Sequence, residues 1–460
     1  MKGFIQTLKN IWSLKELREK ILFTLGMILV YRFATFISLP AINLSEVGDL
    51  LENYKNQGGN NQGAGLLGLL SSFTGGAFAN ASIMALGIMP YISASIIVQL
   101  MGMAIPYLQK LQKDGESGRN TLNQITRWLT IAVCLVQAPS YLTSITTMFL
   151  PYAQFSQAYY VEPNSIMFWL PSIVILVAGS VFAMWLGEKI TDKGIGNGIS
   201  ILIMVGILAG LPQAFVQEYV TQTGAGGAGA IMILIEILFW MFVVLLAIIL
   251  SVAVRKIPIQ YVSRAQARGG VNKNLMQGAR QWIPLKVNAA GVMPIIFAQA
   301  LMFVPGLLTK VDDSNTFFAG FQNVFSWQYN VLFGLLIIIF TFFYTAITIP
   351  VNQMADDLKR NGGLIPKIRP GKETADYLDD ILSKITLPGS IFLAIFAVLP
   401  ALVYGWLVET QNFALFFGGT SLLIMVGVTL DTVQQINTYL LNHHYDGLMQ
   451  SKLSRTTNQS

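Results

Sequence analysis

The chain has 460 residues, 53% hydrophobic and 11% charged, with a formal net charge of +6 and a mean hydropathy of +0.57. Soluble domains carry about 25% charged residues, so this composition excludes a soluble enzyme, a disordered chain and a coiled coil. The single cysteine, Cys134, cannot form an internal disulfide or a metal cluster, and the only histidines are the adjacent His443 and His444. Metal catalysis and a Ser–His–Asp triad lack their parts, and no metal or other cofactor is expected.

Runs without Asp, Glu, Lys or Arg set the architecture. They include Asn56–Gln109, Trp128–Val161, Pro163–Gly187, Gly194–Gln217, Val287–Thr309, Gln328–Ala355, Ile385–Val408 and Thr410–Leu430. About 20 apolar residues cross a bilayer as a helix. The chain therefore reads as an all-α polytopic membrane protein. Before the first span, Phe4, Ile5, Leu8, Ile11, Trp12 and Leu14 interleave with lysines, as in an amphipathic helix lying in the membrane interface. The first apolar stretch is interrupted by Arg32 and no small-residue cleavage site follows, so no removed signal peptide is expected. Spans are predicted at 20–39, 80–104, 126–148, 165–187, 197–212, 229–254, 288–308, 329–350, 385–408 and 413–440.

Charge sets the orientation. With a cytoplasmic N-terminus, 26 of the 29 Lys and Arg residues fall on the inner side. Only Lys55 and Lys310 fall outside, and Arg32 lies within a span. That asymmetry predicts ten helices with both termini inside, ending in a cytoplasmic tail at 441–460.

Residues 85–94 read ALGIMPYISA and residues 289–298 read AAGVMPIIFA, identical at Ala, Gly, Met, Pro, Ile and Ala. The copies fall in the second and seventh spans, which run in opposite directions, as in an inverted repeat of two five-helix halves. The expected division is 1–212 for the N-terminal half, 213–228 for a hinge loop and 229–440 for the C-terminal half. The hinge takes its pliability from 221-TQTGAGGAGA-230.

Three features bear on mechanism. The first lies within Asn56–Gln109, where Leu66–Phe73 is apolar but too short to span, with Gly63, Gly65, Gly68, Gly75 and Gly76 around it. On the residues alone it reads equally as a re-entrant helix in a central cavity or as a helix on the outer surface. Second, the spans lack paired ionisable groups, which ion-coupled carriers place near the midplane. Single polar residues occur instead, among them Ser93, Ser95, Gln99, Gln137 and Asn288, and Glu236 stands without an assigned role. Third, segments 255–286 and 351–384 are long basic loops. The first holds seven Lys or Arg and no acid, among them Arg255, Lys256, Arg264 and Arg268. The second contains Lys367 and an Arg369-Pro370-Gly371 turn that displays an arginine. Such loops imply a large docking partner, since acidic proteins, RNA phosphates and anionic lipids all attract them. The glycines of 194-GIGNGIS-200 resemble a dinucleotide fingerprint only loosely, and free a helix start instead.

Five blocks carry a family resemblance: ASIMALGIMPYISASIIVQL (81–100), KGIGNGISILI (193–203), PLKVNAAGVMP (284–294), IPKIRPGKETADYLD (365–379) and GGTSLLI (418–424). Together they resemble the motifs of the SecY family, the channel subunits of the bacterial Sec protein translocon, over nearly the whole chain. The resemblance implies a protein-conducting channel that translocates secretory polypeptides and releases membrane segments laterally. It implies a pore between two inverted halves, with a waist of Ile88, Ile92, Ile199, Ile203, Ile296 and Ile424. A narrow apolar constriction excludes ions and water by dewetting. The resemblance also implies a plug near 64–76, comprising Leu66, Leu67, Leu69, Leu70 and Phe73. The implied lateral gate lies between the second and seventh spans, with Pro90, Ser93, Gln99, Gln137, Asn288 and Pro294 at or near it; the two prolines relax helix geometry there. Implied partners are SecE and SecG, the SecA ATPase, the ribosome with its rRNA, signal peptides and nascent chains, and the lipid bilayer. The implied location is the bacterial cytoplasmic (inner) membrane. No nucleotide motif is present, so the chain is not expected to be an enzyme.

The competing reading is a secondary transporter for a small solute, which also uses inverted repeats. It requires midplane coupling charges that the spans lack.

Overall fold

The computed structural model describes residues 12, 14–42, 81–146, 159–163, 165–224, 229–261, 280–288, 290–302 and 323–457. The expected plug (Leu66, Leu67, Leu69, Leu70, Phe73), most of the N-terminal amphipathic segment, and Arg264 and Arg268 lie outside the described residues. The chain divides into two compact units, Met1–Phe215 with Val428–Ser460, and Val216–Gly427.

The helices of the first unit are α1 (Lys15–Thr35), α2 (Met89–Ala104), α3 (Pro106–Lys113), α4 (Gly115–Ser144) and α5 (Ile166–Lys193), with the start of α6 (Gly198–Gly224). Its core gathers Leu39, Ile42, Ala85, Leu142, Phe168 and Leu176, among others. The expected helix at 80–104 begins only at Met89, because 83–88 form turns and Gly87 takes φ +53°. Pro90 follows in the first helical turn, where a missing N–H costs no hydrogen bond. It therefore starts a helix; it does not loosen one, as the sequence reading supposed. Ile105 is extended before Pro106, and this breaks α2 from α3 with a bend of 105°. Helix α4 begins well before the expected 126, and Arg127 on it forms a two-pronged ion pair with Glu188 of α5 at 2.9 and 2.7 Å.

The second unit holds the end of α6, then α7 (Gly229–Val252), β1 (Val254–Tyr261), β2 (Arg280–Lys286), α8 (Met293–Leu301) and α9 (Trp327–Thr348). After these come α10 (Val351–Arg360), β3 (Gly363–Leu364), α11 (Lys372–Val403), α12 (Gln411–Ala414) and the start of α13 (Gly419–Thr457). Among the described residues five helices are long and apolar enough to cross a membrane, or six if the bent α2–α3 pair counts as one span.

Three boundaries differ from expectation for identifiable reasons. Residues 213–224, assigned to a hinge loop, continue α6 past Pro212. The tail assigned to 441–460 is helical through Thr457 as part of α13. From Val428 onward α13 belongs to the first unit, where Lys20 Nζ donates to Tyr439 Oη at 2.7 Å and the Gly196 N–H donates to Gln435 Oε1 at 2.8 Å. The basic loops are also not loops throughout. They supply a three-stranded antiparallel sheet of order β2-β1-β3, with Ile257 facing Ile283 and Gln260 facing Leu364. Pro258 and Pro284 hide these strands from propensity reasoning. In the sheet, Pro284 lies on edge strand β2, and Pro258 lies on β1 before its pairing with β3 begins at Gln260.

Candidate channel-lining and docking sites

The two repeat copies fold into the same local device. In the first unit, Gly87 (φ +53°), Ile88 as N-cap (φ −94°, ψ −5°) and Met89-Pro90 open α2. In the second, Gly291 (φ +63°), Val292 as N-cap (φ −96°, ψ −9°) and Met293-Pro294 open α8. A left-handed glycine followed by a first-turn proline dictates both starts. The sequence identity therefore extends to backbone geometry.

Four of the isoleucines assigned to the pore lie in the first unit. Ile88 is buried at the start of α2, and the Ile92 N–H donates to its carbonyl at 3.1 Å, which puts the pair one turn apart. Ile199 and Ile203 sit one turn apart at the start of α6. There Asn197 Oδ1 accepts from the N–H groups of Ile199 and Ser200 at 3.1 and 3.3 Å and caps the helix. Glycines hold this start against α5: a Cβ on Gly198 would lie 2.1 Å from the Gly187 carbonyl oxygen. Ile296 and Ile424 belong to the second unit, the first half-buried on α8 and the second buried on α13.

Of the residues assigned to the lateral gate, Pro90 and Pro294 are buried, Ser93 and Gln137 are half-buried, and Gln99 is exposed with Nε2 3.5 Å from Ser95 Oγ. Asn288 Oδ1 is buried without a hydrogen-bond partner among the described residues.

The docking residues converge further than their sequence separation suggests. Strand β3 of the second basic segment pairs with β1 of the first. A shared core of Ile257, Leu285, Ile365, Leu378 and Leu382 lies beneath, with Ile368 packed against it. Arg255 and Lys256 are exposed on β1. Arg369 is 87% exposed and pairs loosely with Glu373 at 3.9 Å. Its backbone is fixed even so. The Thr374 hydroxyl donates to the Arg369 carbonyl at 2.8 Å, Gly371 takes φ +111°, and Lys367 takes the left-handed φ of +71°. The arginine is thus a mobile cationic head on a rigid turn.

Sequence reasoning missed Glu218. It is 1% exposed and accepts from the N–H groups of Glu409 and Thr410, the Thr410 hydroxyl and Gln222 Nε2. Gln222 Nε2 also donates to Glu236 Oε1 at 3.2 Å, which gives Glu236 the partner the sequence left unassigned. The available signal was the spacing Glu218–Gln222, one helical turn.

The SecY family model matches residues 82–433. The chain belongs to the SecY family. Protein translocase subunits SecY of Streptomyces scabiei (39% identity, covering 94% of this chain and 97% of that one) and Aquifex aeolicus (38%, 95% and 98%) are similar to it. So is the subunit of Vibrio cholerae (36%, 95% and 95%). Its fold is similar to a solved structure of a protein-conducting channel, at 17% identity over 92% of each chain with a TM-score of 0.58. It is also similar to Sec61 in a canine ribosome–channel complex from the endoplasmic reticulum, at 16% identity over 92% of each chain with a TM-score of 0.54. Membership of the SecY family makes this chain a multi-pass membrane protein and the channel subunit of a protein translocase.

Proposed function

We propose that the chain conducts secretory polypeptides through a pore between its two units and releases apolar segments sideways into lipid. The observation that carries this reading is the near full-length match to protein translocase subunits, combined with the repeated Gly–Met–Pro helix start in the two units. In this reading Ile88, Ile92, Ile199, Ile203, Ile296 and Ile424 form the waist, and the segment near 64–76 plugs it. Aliphatic side chains repel ions, yet deform around any polypeptide without a preferred contact. Helices α2 and α8 flank the lateral exit. The unpaired Asn288 carbonyl oxygen supplies a polar point near that seam.

Ten spans, with both termini cytoplasmic and the sheet on the cytoplasmic side, follow from the Lys and Arg asymmetry. The bacterial sources of the relatives support a cytoplasmic-membrane location. The chain is not itself an enzyme in this account. The exposed basic sheet and the Arg369 turn receive SecA and the ribosome with its rRNA, and SecE and SecG complete the membrane complex. The test is a reversible crosslink. Cysteines placed at Ser93 and Met302, after Cys134 is replaced, should arrest precursor transport when oxidised and restore it on reduction. Efficient crosslinking with undiminished transport would remove the α2–α8 seam from the mechanism.

A further inference from the structure

Helices α9 and α11 of the second unit pack against each other, and each carries an outward apolar stripe ending in a tryptophan. On α9 the stripe runs Trp327, Val331, Leu335 and Ile339, all exposed and spaced by four residues. On α11 it runs Ile391, Ile395 and Leu402, with Trp406 beyond the helix end. Spacing of this kind puts each set on one helical face. The two tryptophans stand at the same end of the pair, because Phe325 and Tyr404, which border them, have ring centroids 4.5 Å apart. That end lies away from the sheet, since α9 leads through α10 into β3 and α11 departs from it.

The turns that present these rings are built. The Trp406 N–H donates to the Val403 carbonyl and the Gly405 N–H to that of Val408, with Gly405 at φ +83°. Val403 and Val408 are buried, and Trp406 is 92% exposed. Trp327 follows Ser326, whose hydroxyl oxygen accepts from the Tyr329 N–H at 3.4 Å. Neither indole N–H has a partner among the described residues, whereas the indole of Trp240 donates to the Phe416 carbonyl. An amphipathic ring with an unused donor at the end of an apolar stripe fits the bilayer interface. Length agrees. Helix α9 has 22 residues, or ~33 Å at 1.5 Å per residue, close to a hydrocarbon core of ~30 Å.

We propose that this face is a lipid-contact surface, its stripes against acyl chains and Trp327 and Trp406 seated together in the headgroup layer farther from the sheet. The alternative occupant, an apolar helix of a partner subunit, would cover the stripe.

The test uses the full-length chain with its copurifying subunits, Cys134 replaced, in phosphatidylcholine–phosphatidylglycerol vesicles. A nitroxide is attached in turn at Trp327→Cys, Trp406→Cys, Ile395→Cys and the exposed Lys359→Cys. Collision with oxygen and with a water-soluble nickel chelate then gives depth. The labels at 327 and 406 should report depths equal to within the ~6 Å headgroup layer, between those at 395 and 359. Brominated-lipid quenching of intrinsic fluorescence should also fall in the Trp327→Phe, Trp406→Phe double variant. Labels at 327 and 406 as open to nickel as Lys359→Cys, with Ile395→Cys deep, would overturn the anchoring alone. A label at 395 closed to both reagents would assign the stripe to a protein partner and overturn the proposal. An aqueous label at 395 would overturn the membrane reading on which it rests.

Discussion

Glu218 and Thr410, 192 residues apart, are joined twice through one carboxylate oxygen: the Thr410 N–H at 2.9 Å and the Thr410 hydroxyl both donate to Oε2. The other oxygen accepts from the Glu409 N–H at 3.1 Å. A single buried side chain at the end of α6 therefore organises the N-terminus of α12, on the path to α13 and Ile424. Hydrogen bonds to a charged group contribute ~1.5–3 kcal/mol each, and orphaned buried donors are costly. Glu218→Ala should destabilise the protein by ~3 kcal/mol, read as an earlier thermal unfolding in detergent. Glu218→Gln, which keeps an acceptor, should lose less. Equal unfolding of Glu218→Ala and wild type would mean that the 409–410 segment is held by other contacts.

Gly198 is a contact glycine as well as a helix start. A methyl group there meets the Gly187 carbonyl oxygen at 2.1 Å, and backbone cannot yield as a side-chain tip can. Gly198→Ala should cost ~1–3 kcal/mol through overpacking. Gly224→Ala, with open space around its Cβ position, should be neutral or slightly stabilising. The pair can be compared by thermal unfolding. Equal melting would refute the close α5–α6 approach.

The Arg369 turn separates charge from backbone. Arg369→Glu should leave folding intact, because the side chain is 87% exposed, and should abolish productive SecA coupling. A lysine there lacks the planar two-pronged donor set and should be intermediate. At Lys367, with φ +71°, glycine should preserve coupling, alanine should be mild, and valine should lower it by straining the turn. SecA-dependent precursor transport by folded variants is the readout. Full activity of Arg369→Glu would leave this turn only a topological role.

Ile424 is 5% exposed. Ile424→Asn buries an amide in the proposed waist, at a cost of ~1–3 kcal/mol in the closed form and less in a wetted open one. Ion leak through reconstituted channels should rise and weaker signal sequences should pass. Unchanged leak and unchanged selectivity would remove Ile424 from the seal.

The sequence displayed the apolar spans and the repeat because both depend on local composition. Met89-Pro90 and Met293-Pro294 even preserve the helix start in backbone angles. Their role was misread because a proline within an apolar run looks the same at a helix start as in its middle. The positive φ of Gly87 and Gly291 decides between these, and it is a property of the folded chain. The sheet was hidden for a related reason. Pro258 and Pro284 argue against strands until the pairing shows which strand edges they occupy. Glu218 escaped notice because its partners, Glu409 and Thr410, are adjacent to it only in three dimensions. The docking residues Arg255, Lys256, Lys367 and Arg369 were legible as charge, but the pairing of β1 with β3 that gathers them was not.

The most direct test of the account is transport itself. The purified chain with its partner subunits is sealed into vesicles and given SecA, ATP and an unfolded secretory precursor, and protease is added outside. Protease-resistant, full-length precursor that becomes digestible only after detergent is added is the result predicted for a protein-conducting channel. Precursor that stays fully digestible under conditions where a known translocase protects it would contradict the account.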